Sequence, residues 1–260
     1  MTPAPAVLSS TLKRFDAAWA RSDRIFALLA PEAIAARPIA LRQPFLFYVG
    51  HLPAFAWNHL GRRVAGRAPF SADFDVLFER GIDPPDDGDA PEDEAWPPLE
   101  EVLAYRDRVR GLVPELLEGA GAAPVAQMVL EHELMHHETL LYMVQRLDPG
   151  LKRSPDGLPG PPTKGGGSRT LVPIPGGRVV LGAARNGRFR WDNEHPELAT
   201  EVSAFRIDAL PVTNREFQDF VADGGYEDRR LWSTDGWEWI TDRGHRQPDS
   251  WIASDGEVRV

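Results

Sequence analysis

Cysteine is absent from all 260 residues. Without a thiol of its own the chain can form no disulfide scaffold, no thiolate zinc site, no iron–sulfur cluster and no cysteine nucleophile. Any chemistry must draw on histidine, carboxylates, tyrosine or a thiol brought in from outside. Positive charge is also scarce, with 29 Lys and Arg against 39 Asp and Glu and a net charge of −10. Nine of those acids fall between Asp83 and Glu101, where no Lys or Arg interrupts them, so the imbalance is local. The pattern excludes a basic nucleic-acid footprint and a polybasic membrane patch. No apolar run approaches membrane-spanning length, and Met1-Thr2-Pro3-Ala4-Pro5 is not the start of a secretory signal. A cytoplasmic protein with neither nucleic-acid nor membrane partners is therefore expected. Glycine (23) and proline (24) are plentiful, which argues for loop-rich regions beside any helical bundle.

Hydrophobic periodicity divides the chain. From Ser9 to Ala30, Leu12, Phe15, Trp19, Ile25, Phe26 and Leu29 fall near helical spacing, with Ser9 or Ser10 as N-cap and Pro31 closing the run. A second stretch, Pro44 to Val64, is rich in aromatics and holds His51 and His59; its Pro53 implies that the helix begins or kinks there. The acidic, Pro-rich segment 83–98 reads as a solvated loop. Leu99 to Leu117 and Pro124 to Leu147 give two further helices, the latter with Pro124 near N1. Four helices in the first 150 residues suggest a four-helix bundle, residues 1–150. Residues 151–170 have the Gly/Pro composition of a linker. Residues 171–260 show short apolar runs, turns, a capped short helix opening at Thr213-Asn214-Arg215-Glu216 and ending near Gly224-Gly225, and a Trp-rich end, which is an α+β pattern.

The residues that carry chemistry are Glu131-His132-Glu133-Leu134-Met135-His136-His137-Glu138. The apolar line of this helix runs Val125, Val129, His132, His136, Leu140, Met143, Leu147. It puts two histidines in the buried seam, roughly 40° apart around the axis, with Glu133 and His137 on flanking faces. Such a pair can be core histidines bonded to neighbouring helices or two ligands of one metal ion. The same string reads literally as the His-Glu-x-x-His of zinc hydrolases, with Glu133 as general base. Those sites need a third ligand downstream, and no His or Glu occurs between Thr139 and Asn193; Glu194 and His195 lie beyond the linker. His51, in apolar surroundings upstream, is the better third ligand and would complete a three-histidine site on two helices. His59, beside Arg62 and Arg63, reads as a surface histidine.

His51, His132-x-x-x-His136-x-Glu138, a Pro/Gly linker, Val172-Pro173-Ile174-Pro175-Gly176-Gly177, Phe189-x-Trp191-Asp192-Asn193-Glu194 and Pro211-Val212-Thr213-Asn214 occur in that order. Together they resemble the iron-dependent sulfoxide synthases of ergothioneine biosynthesis. In that superfamily a DinB-like four-helix bundle precedes a domain shaped like the formylglycine-generating enzyme, a variant of the C-type lectin fold. The resemblance implies that His51, His132 and His136 ligate Fe(II) as a facial triad with open positions for a thiol sulfur, dioxygen and an imidazole nitrogen. The implied reaction is O2-dependent C–S (or C–Se) bond formation at the imidazole C2 of a histidine betaine. The sulfur would arrive with the substrate, which suits a chain without cysteine. Arg106 would grip the carboxylate of the thiol substrate, although a helix arginine paired with a nearby acid fits the same residue. Glu138 would have a supporting role, and no catalytic residue is assigned.

Two departures from the family pattern stand out. Where ergothioneine-type members carry Gln just before the second helix histidine, this chain has Met135, a weak acceptor and no donor. Recognition of the acceptor must differ, and Met135 together with His137 points toward a branch other than the standard one, such as those that make selenoneine from a selenosugar or ovothiol precursors. The family's second domain also continues well beyond the Trp-rich segment and there supplies a tyrosine acid, so the 260 residues are expected to be a fragment or truncated product. The competing functions are zinc hydrolysis through His132-Glu133-x-x-His136 and a non-catalytic, metal-stapled bundle.

Overall fold

A computed structural model of the chain describes residues 5–79, 96–154, 169–187, 189–254 and 257–259. Most of the expected acidic loop and of the expected linker lie outside the described residues. The chain divides into two compact units, one formed by Met1–Asp156 with Arg185–Asn193 and the other by Gly157–Ala184 with Glu194–Val260. Among the described residues no helix is long and apolar enough to cross a membrane.

The first unit is helical. Its long elements are α1 (Pro5–Phe26), α2 (Phe45–Ala56), α4 (Leu99–Leu117) and α5 (Ala122–Arg146), with a short α3 (Ala72–Leu77) that the periodicity does not announce. α1 packs along α5, and α2 packs along α4 while also touching α5. In α1, Phe15, Ala18, Ser22 and Ile25 form the buried stripe. The helix starts earlier than expected, so Ser9 and Ser10 lie inside it and do not cap it. It also ends earlier, at Phe26, because tertiary pairing draws the chain out of the helix. Ala30 N–H donates to the Leu151 carbonyl, Arg153 N–H donates to the Leu28 carbonyl, and Leu29 bridges Lys152. Pro31 then opens a 3-10 turn, Pro31–Ala35.

Helix α2 is apolar all round, and every residue from Phe45 to Ala56 except Phe55 is buried, as befits the central rod of a bundle. It does not begin at Pro53, which lies inside it. That proline has no N–H to offer the preceding turn. The chain runs through it and, from Trp57 to Val64, widens into a π-helix that closes with Ala65 N–H on the Leu60 carbonyl at 3.0 Å. Helix α4 has the limits its periodicity predicts. Helix α5 starts two residues before Pro124, and Val129, His132, His136, Leu140, Met143 and Leu147 of its predicted seam are all buried.

The second unit is α+β. Its strands form three antiparallel pairs: β1 (Leu171–Ile174) with β4 (Phe205–Asp208), β2 (Gly177–Leu181) with β3 (Leu198–Val202), and β5 (Ile252–Ser254) with β6 (Glu257–Arg259). Helix α6 (Asn214–Ala222) opens with the expected capping box, in which the Thr213 hydroxyl takes the Glu216 N–H and the Glu216 carboxylate takes the Thr213 N–H. Gly224, with φ of 81°, follows the helix in a left-handed turn. Helix α7 (Thr234–Asp242) is capped by Ser233.

Candidate metal centre

Three histidines from two helices meet in the bundle interior. His51 comes from α2, and His132 and His136, one turn apart, come from α5. They are 5%, 6% and 1% exposed. The Nε2 atoms of His51 and His132 are 3.2 Å apart, and those of His132 and His136 are 3.1 Å apart. Among the described residues these three form the one group of His and acid side chains whose donor atoms lie close enough to share an ion.

Surrounding contacts set the state of each ring. His51 Nδ1 lies 2.7 Å from the Phe78 carbonyl oxygen. A carbonyl can only accept, so Nδ1 carries the proton and Nε2 turns a bare lone pair inward. The Phe47 ring stacks on His51 at 4.9 Å, and the Phe55 ring lies against His132 at 3.6 Å with 5° between the planes. Tyr48 flanks His136, its ring centroid 5.5 Å away. Burial pushes His51 down to about 4, the Phe78 carbonyl pulling weakly the other way. Burial, then the neighbouring His51, pushes His136 down to about 3. His132 is driven well below its ordinary value, first by burial and then by His136 and His51. All three are neutral near pH 7.

Neutral imidazoles so placed fit a cation better than they fit one another. Each carries one ring N–H, and that of His51 is committed to Phe78. A proton on His132 Nε2 could serve only one of its two contacts, leaving the other as lone pair against lone pair. Nitrogen donors that share one ion at about 2.1 Å stand about 3 Å apart when mutually at right angles, close to the spacing observed. Buried polar atoms without such a partner are costly.

Other expected site residues lie elsewhere. Glu133 and His137 lie on the expected flanking faces, but those faces are buried: each residue is 4% exposed and belongs to a separate polar cluster with Ser22 of α1. The Ser22 hydroxyl donates to the Glu133 carboxylate and accepts from His137 Nε2 at 2.8 Å. Burial raises the Glu133 carboxyl, with Ser22 opposing. A carboxylate turned to Ser22, about 100° around α5 from His132, is not aimed at the three Nε2 atoms, so the geometry gives the zinc-hydrolase reading no general base. Arg106 is not brought to the histidines either. Its guanidinium pairs with Asp107 at 2.7 Å and Asp23 at 3.5 Å. It lines a cavity of about 10 Å³ together with Arg110, Glu133 and the Val49, Leu52, Pro53 and Ala56 stripe of α2, the face opposite His51. His59 is half-buried, not a free surface residue, and packs on the outer face of Phe55 at 4.2 Å. Glu138 is exposed, and Met135 is 48% exposed one turn from His132.

Sequence reasoning missed Phe55, Ser22 and the Phe78 carbonyl. Phe55 could have been found, since it follows His51 by four residues on one helix. Ser22 and Phe78 come from distant segments and carry no local signal.

Comparison with known proteins gives two family matches: residues 14–140 match the DinB superfamily, and residues 158–255 match the sulfatase-modifying factor enzyme 1-like domain. Ergothioneine biosynthesis protein 1 of Neurospora crassa is 33% identical over 242 residues, covering 81% of this chain and 27% of that protein. Hercynine oxygenase of Mycobacterium tuberculosis is 40% identical over 142 residues, covering 54% of this chain and 33% of the relative. Formylglycine-generating enzyme of Bos taurus is 39% identical over 72 residues, 28% of this chain and 17% of the enzyme. The chain thus spans between 27% and 33% of the length of the first two relatives.

Proposed function

The chain belongs to the ergothioneine-synthase superfamily, which joins a DinB domain to a sulfatase-modifying factor domain, and on that premise we propose that it carries the metal centre of an O2-dependent C–S (or C–Se) bond-forming enzyme. The proposed metal is Fe(II), held by His51, His132 and His136. The proposed acceptor is a histidine betaine, attacked at its imidazole C2, and the donor is a thiol or a selenosugar. For a thiol the balance is simple: one oxygen atom of O2 enters the sulfoxide, and the other leaves as water with the thiol and C2 hydrogens.

The observation that carries this reading is the convergence of three neutral, buried imidazole Nε2 atoms in a chain related to a hercynine oxygenase. When bound, ferrous iron supplies electrons to dioxygen and a Lewis-acidic point on which the reactants gather. The chain's own residues supply the rest. His51 keeps its proton on Nδ1 by donating to Phe78, so its Nε2 stays a donor. Phe47, Tyr48 and Phe55 wall the cluster and exclude water from its inner side. The exposed Met135 beside His132 can offer an imidazole no N–H, so the acceptor must be recognised by other groups.

Anaerobic purification followed by metal analysis tests the reading. Stoichiometric iron is expected, lost in His51→Ala, His132→Ala and His136→Ala and retained in His137→Ala. Oxygen uptake should then require both the chalcogen donor and the histidine betaine. Zinc in place of iron with hydrolytic activity abolished by Glu133→Gln, or full iron retention in His51→Ala, would overturn it.

A further inference from the structure

His51 is oriented by a segment that contributes no ligand. Its hydrogen-bond acceptor, the Phe78 carbonyl, directly follows α3, and the Phe78 N–H closes that helix on the Phe74 carbonyl at 3.0 Å. The Phe78 ring is fully buried and lies so close to Gly50 that a Cβ there would stand 2.5 Å from ring carbons. Chain segments meet this closely only if the short α3 is fixed, and six residues of helix cannot fix themselves.

The anchor is Asp75, 1% exposed. Its Oδ1 accepts the Tyr105 hydroxyl from α4 at 2.9 Å, and its Oδ2 accepts the Phe70 N–H at 2.9 Å. Its main-chain carbonyl accepts Asn58 Nδ2 from the π-helix at 3.0 Å, and Asn58 Oδ1 in turn accepts from Arg62 at 3.1 Å. A buried carboxylate is expensive and is tolerated when its lone pairs are filled. The two carboxylate bonds are directional and tie α3 to α4 and to the Phe70 N–H, which an apolar side chain in the same place could not match; the Asn58 bond belongs to the main chain.

We propose that Asp75 and Tyr105 form a positioning pair for His51: they hold α3, and through it the Phe78 carbonyl, where it fixes the proton of His51 on Nδ1 and the plane of its ring. Neither residue touches the metal centre. The inference rests on reading His51, His132 and His136 as that centre, and it assigns to the pair a control over donor geometry beyond packing. Groups that orient metal-binding histidines from outside the ligand set typically change metal affinity 10–100-fold when altered.

The test uses the whole chain and Co(II) as the probe, with affinity read by chelator competition and geometry by the visible d–d spectrum. Tyr105→Phe keeps the ring and removes only the hydroxyl; Asp75→Asn keeps the volume and removes one acceptor. Val113→Ala, a buried truncation elsewhere on α4, reports what general loosening of the bundle does. The pair predicts Co(II) affinity lower by about 10-fold or more in Tyr105→Phe and Asp75→Asn, an altered d–d spectrum, and a shifted His51 Nδ1–H resonance in metal-free protein labelled with ¹⁵N-histidine. Val113→Ala should keep affinity and resonance near wild type at a comparable loss of thermal stability. Wild-type affinity and an unshifted resonance in Tyr105→Phe and Asp75→Asn would overturn the inference, as would an equal affinity loss in Val113→Ala. Wild-type protein that binds no Co(II), or His51→Ala that binds as well as wild type, would instead overturn the metal-centre reading; the resonance arm would still decide whether the pair holds His51.

Discussion

Lowering the pH of the metal-free protein from 7 to 5 should destabilise the bundle, and the size of the effect follows from its buried imidazoles. In the unfolded chain a histidine takes up a proton near 6.5. In the folded chain His51 refuses it until about 4, and His136 until about 3. Between those values the unfolded state binds more protons than the folded state, so stability falls as pH falls. It is full above about 6.5 and drains away through the window below. At pH 5 each of the two contributes a loss of about 2 kcal/mol, from a gap of about 1.5 units at 1.36 kcal/mol per unit. Together they cost about 4 kcal/mol, with His132 and His137 displaced in the same direction. That is a large share of the roughly 5–15 kcal/mol that holds a domain together. Urea midpoints in chelator at the two pH values, followed by far-ultraviolet circular dichroism, measure it. His51→Gln, which still offers Phe78 a donor but cannot titrate, should show a slope shallower by about one proton. A midpoint unchanged or higher at pH 5, or a His51→Gln slope equal to wild type, would refute the reasoning. Added Fe(II) or Co(II) should raise the pH 7 midpoint, by about 2.7 kcal/mol at a hundredfold excess over Kd, and should lose this hold as acid competes for the ligands.

Three other outcomes can be checked. Gly50→Ala places a methyl group 2.5 Å from the Phe78 ring; because that ring is fully buried and has no open space to swing into, the change should cost about 1–3 kcal/mol in denaturant titration and weaken metal binding as well. Phe55→Ala removes the partly buried ring stacked on His132 at 3.6 Å and should cost about 1–3 kcal/mol, with a broadened Co(II) spectrum, whereas Phe55→Leu should recover most of the stability. Ser22→Ala strips the buried Glu133 carboxyl of its donor and His137 of its acceptor; a loss of about 1–3 kcal/mol is expected, with metal content unchanged because the cluster faces away from the three Nε2 atoms.

Legibility differed by element for physical reasons. The limits of α4 and the buried seam of α5 follow from side-chain periodicity alone, because one continuous face of each helix meets the core. The histidine seam was readable for the same reason: His132 and His136 interrupt an otherwise apolar line at helical spacing, and His51 sits in the most apolar stretch of the chain. The ends of α1 were not readable, since its C-terminus is set by pairing with residues 151–153, more than a hundred positions away. Glu133 and His137 do flank the seam, but nothing near them announces that a serine on α1 will satisfy both. Arg106 pairs with the adjacent Asp107, as the helix-arginine alternative expects, while its second partner, Asp23, comes from α1 and is brought within reach only by the fold.

The acceptor that orients His51 belongs to the main chain, and heritable variation acts on it differently than on a side chain. Every amino acid at position 78 brings the same carbonyl, so no single codon change there can delete the contact. Damage or retuning must come instead from changes that displace it, at Gly50, in α3, or at the aspartate and tyrosine that hold α3. Mutational tolerance around this histidine should therefore be uneven. In a saturation-mutagenesis library selected on metal retention, position 78 should accept other large apolar residues, while Gly50 and Asp75, neither of which belongs to the three-histidine group, should accept almost nothing.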